Sequence, residues 1–205
     1  MHPNTPSVRT AMTIEMRGAV MATSPAVKAA QVKGEGILRK KLGDEKADAL
    51  IENRKKRDGD KAHITLMSPA DTKLAIATMA ASEGISKGEA ERRIKEVLSK
   101  GLPDSYDLKG VGKAESGGKE AYYVAIDWPA ADAFRAEFGL PTGSQTGAQH
   151  FHITLGFGDG GDVHGVAKKD TSVGRLASLR SKVIRLAHAK PALRPHLLPL
   201  LVGKD

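Results

Sequence analysis

The chain carries the same four residues twice, His63-Ile64-Thr65-Leu66 and His152-Ile153-Thr154-Leu155. Each string lies in a short strand-like stretch, 62–66 and 151–157. Side chains alternate faces along a strand, so His and Thr share one face and Ile and Leu share the other. If the two strands lie side by side, two histidines and two threonines line one cavity. The four aliphatic side chains then anchor both strands from behind.

Such a polar set fits acid–base chemistry at a phosphodiester. Opening a cyclic phosphodiester requires one group to take a proton from attacking water. A second group must give a proton to the leaving sugar oxygen. Histidine suits both roles because its ordinary pKa, about 6.5, lies near working pH. One ring must be neutral and the other protonated, which predicts a bell-shaped pH profile. Threonine hydroxyls can donate to the non-bridging phosphate oxygens, where charge builds up. A strained five-membered ring needs no metal by this route. A single histidine on a strand is commonly structural; repetition of the whole string favours chemistry. Zinc is the competing reading, but catalytic zinc usually takes three protein ligands. His150 and His164 are the available extras, and His150 shares the His152 face in strand register.

Bulk properties set the bounds. A chain of 205 residues suits one domain, perhaps of two lobes. The absence of cysteine excludes disulfides and thiolate metal sites. No apolar run approaches the roughly 18 residues of a membrane span, and no secretory signal is evident, so a cytoplasmic protein is expected. The formal charge of +8 favours polyanionic partners. Basic residues cluster at Arg54, Lys55, Lys56 and Arg57, and the acid-free stretch from Thr171 to Lys204 holds seven more.

Local signals predict an alternation of short helices and strands. Residues 1–30 read as a flexible leader, although 12–16 alternate like a strand. Asp44 can cap a helix to about Arg57, ended by Asp58-Gly59. Ser68-Pro69-Ala70-Asp71 opens a second helix, and Ser86 with Glu89 forms a capping box for a third. Strands at 106–114 and 121–127 flank Glu115-Ser116-Gly117-Gly118, a hairpin signal. A helix at 129–138, the strand 151–157 and an amphipathic basic helix at about 172–187 complete the order. The expected organisation is a leader at 1–30, an α+β domain at 31–190 and a tail at 191–205.

The paired His-x-Thr-Leu strings resemble the signature of the 2H phosphoesterase superfamily. That superfamily includes bacterial 2′-5′ RNA ligase-like proteins, cyclic nucleotide phosphodiesterases and RNA-repair phosphodiesterases. The resemblance covers about residues 35–170, and outside the motifs it rests on element order. It implies a bilobal α+β fold with pseudo-twofold symmetry, each lobe an antiparallel sheet with flanking helices giving one His-x-Thr strand. By the same resemblance His63 and His152 are catalytic, Thr65 and Thr154 bind phosphate, and no metal or other cofactor is used. The expected partners are RNA ends or small nucleotide cyclic phosphates, with no membrane, and the protein is expected to be a monomer. Which histidine is the base depends on whether the 2′ or the 3′ oxygen leaves. The segment 161–170 is similar to a stretch in RNA-repair-like branches and makes His164 and Lys168 candidate substrate contacts.

Base recognition would use aromatic stacking. Phe151 and Phe157 keep a register opposite to His152 and are expected behind the site. One of Tyr122 and Tyr123 must face away from the core in a strand, which makes that pair the stacking candidates. Two other functions stay open on sequence alone: an RNA-binding module without turnover, and 2′-5′ ligation, the reverse of the same chemistry.

Overall fold

The computed structural model of the protein describes residues 12–102, 106–143, 151–176 and 190–197. Its first sheet begins with a hairpin, β1 (Thr13–Arg17) and β2 (Ala19–Thr23), turned at Gly18 with φ 76°. β2 pairs on its other side with β3 (Ile64–Met67), all antiparallel, in the order β1-β2-β3. Between β2 and β3 run α1 (Pro25–Leu42) and α2 (Asp44–Asp58). After β3 come α3 (Pro69–Glu83) and α4 (Lys87–Ser99). The second sheet is β4 (Asp107–Ser116), β5 (Lys119–Asp127) and β6 (Phe151–Phe157), again antiparallel and in chain order, with α5 (Pro129–Glu137) between β5 and β6.

This is the bilobal α+β arrangement expected from the sequence. The helix pairs cross over: α1 and α2 follow β2 yet pack on the second sheet, while α3 and α4 cover the first. The motif strands β3 and β6 are each at the edge of their sheet and lie against one another. Behind them a single apolar core runs through both lobes, from Val20, Ala22, Ile64 and Leu66 to Val124, Ile126, Ile153 and Leu155. Two glycines allow this closeness. A side chain on Gly34 of α1 would meet Leu155 and Val124, and one on Gly156 of β6 would meet the backbone of Leu50 in α2.

Most predicted helix starts hold. Ser68 and Asp71 form a reciprocal capping box at α3, and Ser86 accepts from the Glu89 amide at α4. Three expectations are corrected. The flexible leader does not extend to residue 30: 13–17 and 19–23 are strands, and α1 starts at Pro25. Val20 and Ala22 are wholly buried there, so the segment completes the first sheet rather than preceding it. The helix α1 itself was not foreseen, although Ser24 caps it by accepting from the Val27 amide and Pro25 occupies its first turn. The basic helix expected from about residue 172 does not begin there. Residues 172–173 form a turn, and Gly174 bridges to Val111 of β4. Residues 177–187 of that expected helix, like residues 1–11, lie outside the described residues. Within the expected tail, Pro191–Leu193 is a 3-10 turn and Arg194–Leu197 one helical turn. Among the described residues no helix is long and apolar enough to cross a membrane.

Candidate active site

The alternation read from the two motifs is realised. Ile64, Leu66, Ile153 and Leu155 are fully buried, while His63, Thr65, His152 and Thr154 are half-exposed. Residues directly opposite one another in an antiparallel pair share a face. Thr65 lies opposite Met21, which is opposite Glu15; Thr154 lies opposite Tyr123, and His152 opposite Ala125. The two threonines therefore hold equivalent stations, each across from the central strand of its sheet. His63 sits one residue before β3, with its Nδ1 3.4 Å from the Lys61 carbonyl oxygen.

His63 opens onto a cleft of about 670 Å³, lined among others by Glu15, Met21, Thr23, Lys28 and Arg57. That volume is in the range of small-molecule sites. Lys28 is held by Asp60 at 2.8 Å and donates to Gln31 Oε1 at 3.3 Å. Gln31 is buried in α1 and its amide donates to the Thr154 carbonyl oxygen at 3.4 Å. One polar chain thus links the His63 cleft to the backbone of the second motif.

A second chain reaches His152. Lys168 Nζ lies 3.1 Å from His152 Nε2 and 3.5 Å from Asp162 Oδ1. Asp162 is held in turn by Arg57 Nη1 at 2.6 Å, and the Arg57 guanidinium covers the Phe157 ring at 4.7 Å. Arg57, a wall of the His63 cleft, is therefore joined through Asp162 and Lys168 to His152. Lys168 is 3% exposed, and burial pushes its ammonium below the ordinary lysine range against the pull of Asp162. Burial works against ionisation of Asp162 too, but Lys168 and Arg57 hold its carboxyl below the usual range.

The loop that carries Lys168 is pinned to β4. The Val111 amide donates to the Gly174 carbonyl at 2.7 Å, and the Lys113 amide donates to Asp170 Oδ2 at 3.1 Å. Gly112 makes room, since a side chain there would collide with the Asp170 backbone. Of the two candidates in this loop, Lys168 reaches His152, whereas His164 is exposed.

The aromatic expectations need correction. Tyr122 and Tyr123 are 2% and 0% exposed, so neither offers an open face for stacking a base. Tyr122 packs into the core behind the sheet, where its hydroxyl donates to Glu120. Tyr123 does face the motif side, but the 161–170 loop covers it. Its ring meets the His152 ring edge-on at 6.0 Å, and burial followed by the nearby Asp170 pushes its phenol up to about 12. Phe151 is behind the site as expected, but Phe157 is not. The register between β5 and β6 steps by one residue at Leu155, so Phe157 joins Tyr123, Ala125 and Val163 on the His152 side.

Arg57, Asp162 and Gln31 were not singled out as site residues from the sequence. Arg57 belongs to the basic run at 54–57 and Asp162 to the segment similar to RNA-repair branches, so both carried a signal. Gln31 carried none. His150, one of the two extra zinc candidates, lies outside the described residues. Among those described, no three His, Asp or Glu side chains converge to hold a metal ion.

The family model 2H-SAK, described as Swiss Army Knife, 2H phosphoesterase domain, matches residues 31–164. With both motifs inside that span and the two lobes in place, the chain belongs to the 2H phosphoesterases. Membership supports an activity of the phosphodiesterase type. No match was found among curated proteins or among solved structures. The match begins inside α1, so the β1–β2 hairpin that completes the first sheet lies outside it.

Proposed function

We propose that this protein opens a cyclic phosphodiester, such as the 2′,3′-cyclic phosphate of an RNA end or a related nucleotide, to a phosphomonoester. In this reading His63 and His152 are the acid–base pair, and Thr65 and Thr154 hold the phosphate. The observation that carries it is the meeting of β3 and β6 at the edges of their sheets, with Thr65 and Thr154 at equivalent registers.

The chemistry balances without a cofactor. Water attacks phosphorus and loses a proton to one imidazole. The bond from phosphorus to the 2′ or 3′ oxygen breaks, and the other imidazole protonates that oxygen. Both rings return to their starting states by exchange with solvent. The threonine hydroxyls donate to the non-bridging oxygens as charge develops. A metal ion at His152 Nε2 would have to displace the Lys168 ammonium, which favours the metal-independent route. The excess of basic residues suits an anionic substrate, and the cleft beside His63 has room for a nucleoside.

The test is phosphorus NMR of a short RNA ending in a 2′,3′-cyclic phosphate, incubated with the protein in excess EDTA. Conversion of the cyclic signal to a monoester is the expected result, and the product shift identifies which oxygen left. His63→Ala and His152→Ala should each lower the rate on the order of 10²–10⁴-fold, the usual worth of a general acid or base. Full activity in either variant would sink the mechanism.

A further inference from the structure

The two histidines, equivalent by sequence, have opposite electrostatic neighbours. His152 Nε2 faces the ammonium of Lys168 at 3.1 Å, while His63 Nδ1 faces the carbonyl oxygen of Lys61 at 3.4 Å. An ammonium has donors and no acceptor, so beside it Nε2 must accept. A carbonyl oxygen only accepts, so beside it Nδ1 carries a proton and an imidazolium is accommodated. From these contacts we propose that Lys168 is a positioning residue that keeps His152 neutral with its Nε2 lone pair available, which makes His152 the base toward water and His63 the acid toward the leaving oxygen. This rests on the phosphoesterase reading of the histidine pair.

Lys168 is built to hold this place. It is buried, it is anchored by Asp162, and Asp162 is fixed by Arg57, whose other carboxylate partner is Asp58. The loop end beyond it is bonded to β4 through Asp170 and Gly174. Among the described residues, the ionisable groups near the pair include Asp162, Arg57 with Asp58 from α2, His164 on the same loop, and Tyr123 from β5 with Asp170 beside it. Tyr123 stays a neutral phenol, and Asp162 is shared between two cations. Lys168 brings a cation into direct contact with the His152 ring nitrogen. When an anionic phosphate arrives, Nζ can swing from Nε2 to a phosphate oxygen. The lone pair it leaves then takes the proton of the attacking water, so the lysine guards the base in the resting state and joins the phosphate in the working one.

Removing the cation should make His152 easier to protonate. The decisive experiment is imidazole nitrogen NMR of the full chain labelled at histidine, with His152 assigned from the spectrum of His152→Gln. In the wild type at neutral pH, His152 should show the neutral pattern with Nε2 unprotonated. In Lys168→Met its titration midpoint should move to higher pH, and Lys168→Arg should restore it. The acidic limb of the rate profile should move the same way, so that Lys168→Met regains activity as pH rises. If the methionine variant does not fold, Lys168→Gln serves, with the same expected shift. An unchanged His152 tautomer and midpoint in a folded, charge-removed variant overturns the assignment, including when activity falls. The NMR measurement needs no substrate. A protein inert toward every cyclic phosphate would defeat the phosphoesterase proposal while leaving this titration readable.

Discussion

Leu66 and Leu155 occupy the same position in two different sheets. Across β2 and β3, Met21 pairs with Thr65 and Val20 with Met67, so the register steps by one residue at Leu66. Across β5 and β6, Tyr123 pairs with Thr154 and Tyr122 with Gly156, so it steps at Leu155. Both leucines close a His-Ile-Thr-Leu string and both are fully buried. A bulge bends its strand and strengthens the local twist. The pseudo-twofold relation thus extends from the repeated residues to an irregularity in the backbone that follows each of them.

The first bulge is clamped from outside the sheet. Arg135 of α5 is wholly buried and donates to the Leu66 carbonyl at 2.7 Å, to Asp71 at 3.1 Å and to the Pro141 carbonyl at 2.9 Å. Asp71 also accepts from the Ser68 amide at 3.0 Å. Removing one member of a buried pair strands the other, at about 3–5 kcal/mol. Arg135→Met and Asp71→Asn are therefore expected to lower stability by amounts approaching that range, read from denaturant midpoints at neutral pH. Burial alone would raise the Asp71 pKa, but Arg135 and Ser68 hold its carboxyl below the usual range. A depressed folded pKa contributes stability above the unfolded carboxylate pKa and loses it as pH falls through the folded value. The gap between wild type and Asp71→Asn should accordingly narrow in acid. A gap independent of pH would contradict the ion pair.

Two glycines of α1 separate packing from helix propensity. A Cβ on Gly34 would lie 2.8 Å from both Leu155 Cδ2 and Val124 Cγ2, two side chains that are themselves fully buried, whereas one on Gly36 would meet nothing within 4 Å. Alanine in a helix interior is favoured over glycine by about 0.8–1.0 kcal/mol. Overpacking a core costs about 1–3 kcal/mol. Gly36→Ala should therefore raise the thermal midpoint and Gly34→Ala should lower it. Equal effects at both positions would mean that α1 does not seat on the second sheet at Leu155.

Much of this was legible in the chain. The repeated motif carries its own face alternation, and Ser68, Ser86 and the Gly117-Gly118 turn mark element ends by local chemistry alone. What was not legible depends on partners. Phe157 reads as opposite to His152 because strict alternation puts it there, and only the pairing of β6 with β5 reveals the step at Leu155. Tyr123 reads as a stacking platform because one of two adjacent tyrosines must leave the core. That it is covered depends on how the 161–170 loop crosses β4 at Gly112. The leader shows a related dependence. Residues 12–16 alternate like a strand, but the place of 13–23 in the fold is fixed by pairing with β3, some forty residues further on. Lys168 was singled out from sequence as one basic residue of a loop, but its contact with His152 required the fold.

The threonines offer the sharpest test of the phosphate site. Thr65 and Thr154 face the same side as their histidines and lie across from Met21 and Tyr123, on neighbouring edge strands. Valine keeps the shape and the β-branched backbone preference while removing the hydroxyl, so Thr65→Val and Thr154→Val isolate one donor each. Loss of a donor aimed at developing charge costs on the order of 10²–10³-fold in kcat. The loss should fall on kcat more than on KM, because the non-bridging oxygens gain their charge in the transition state. Serine at either position should recover most of the rate. Steady-state kinetics on a cyclic phosphate substrate decide the matter. A valine variant that raises KM with kcat untouched would make the hydroxyl a ground-state contact, and one with wild-type kinetics would remove that threonine from the site.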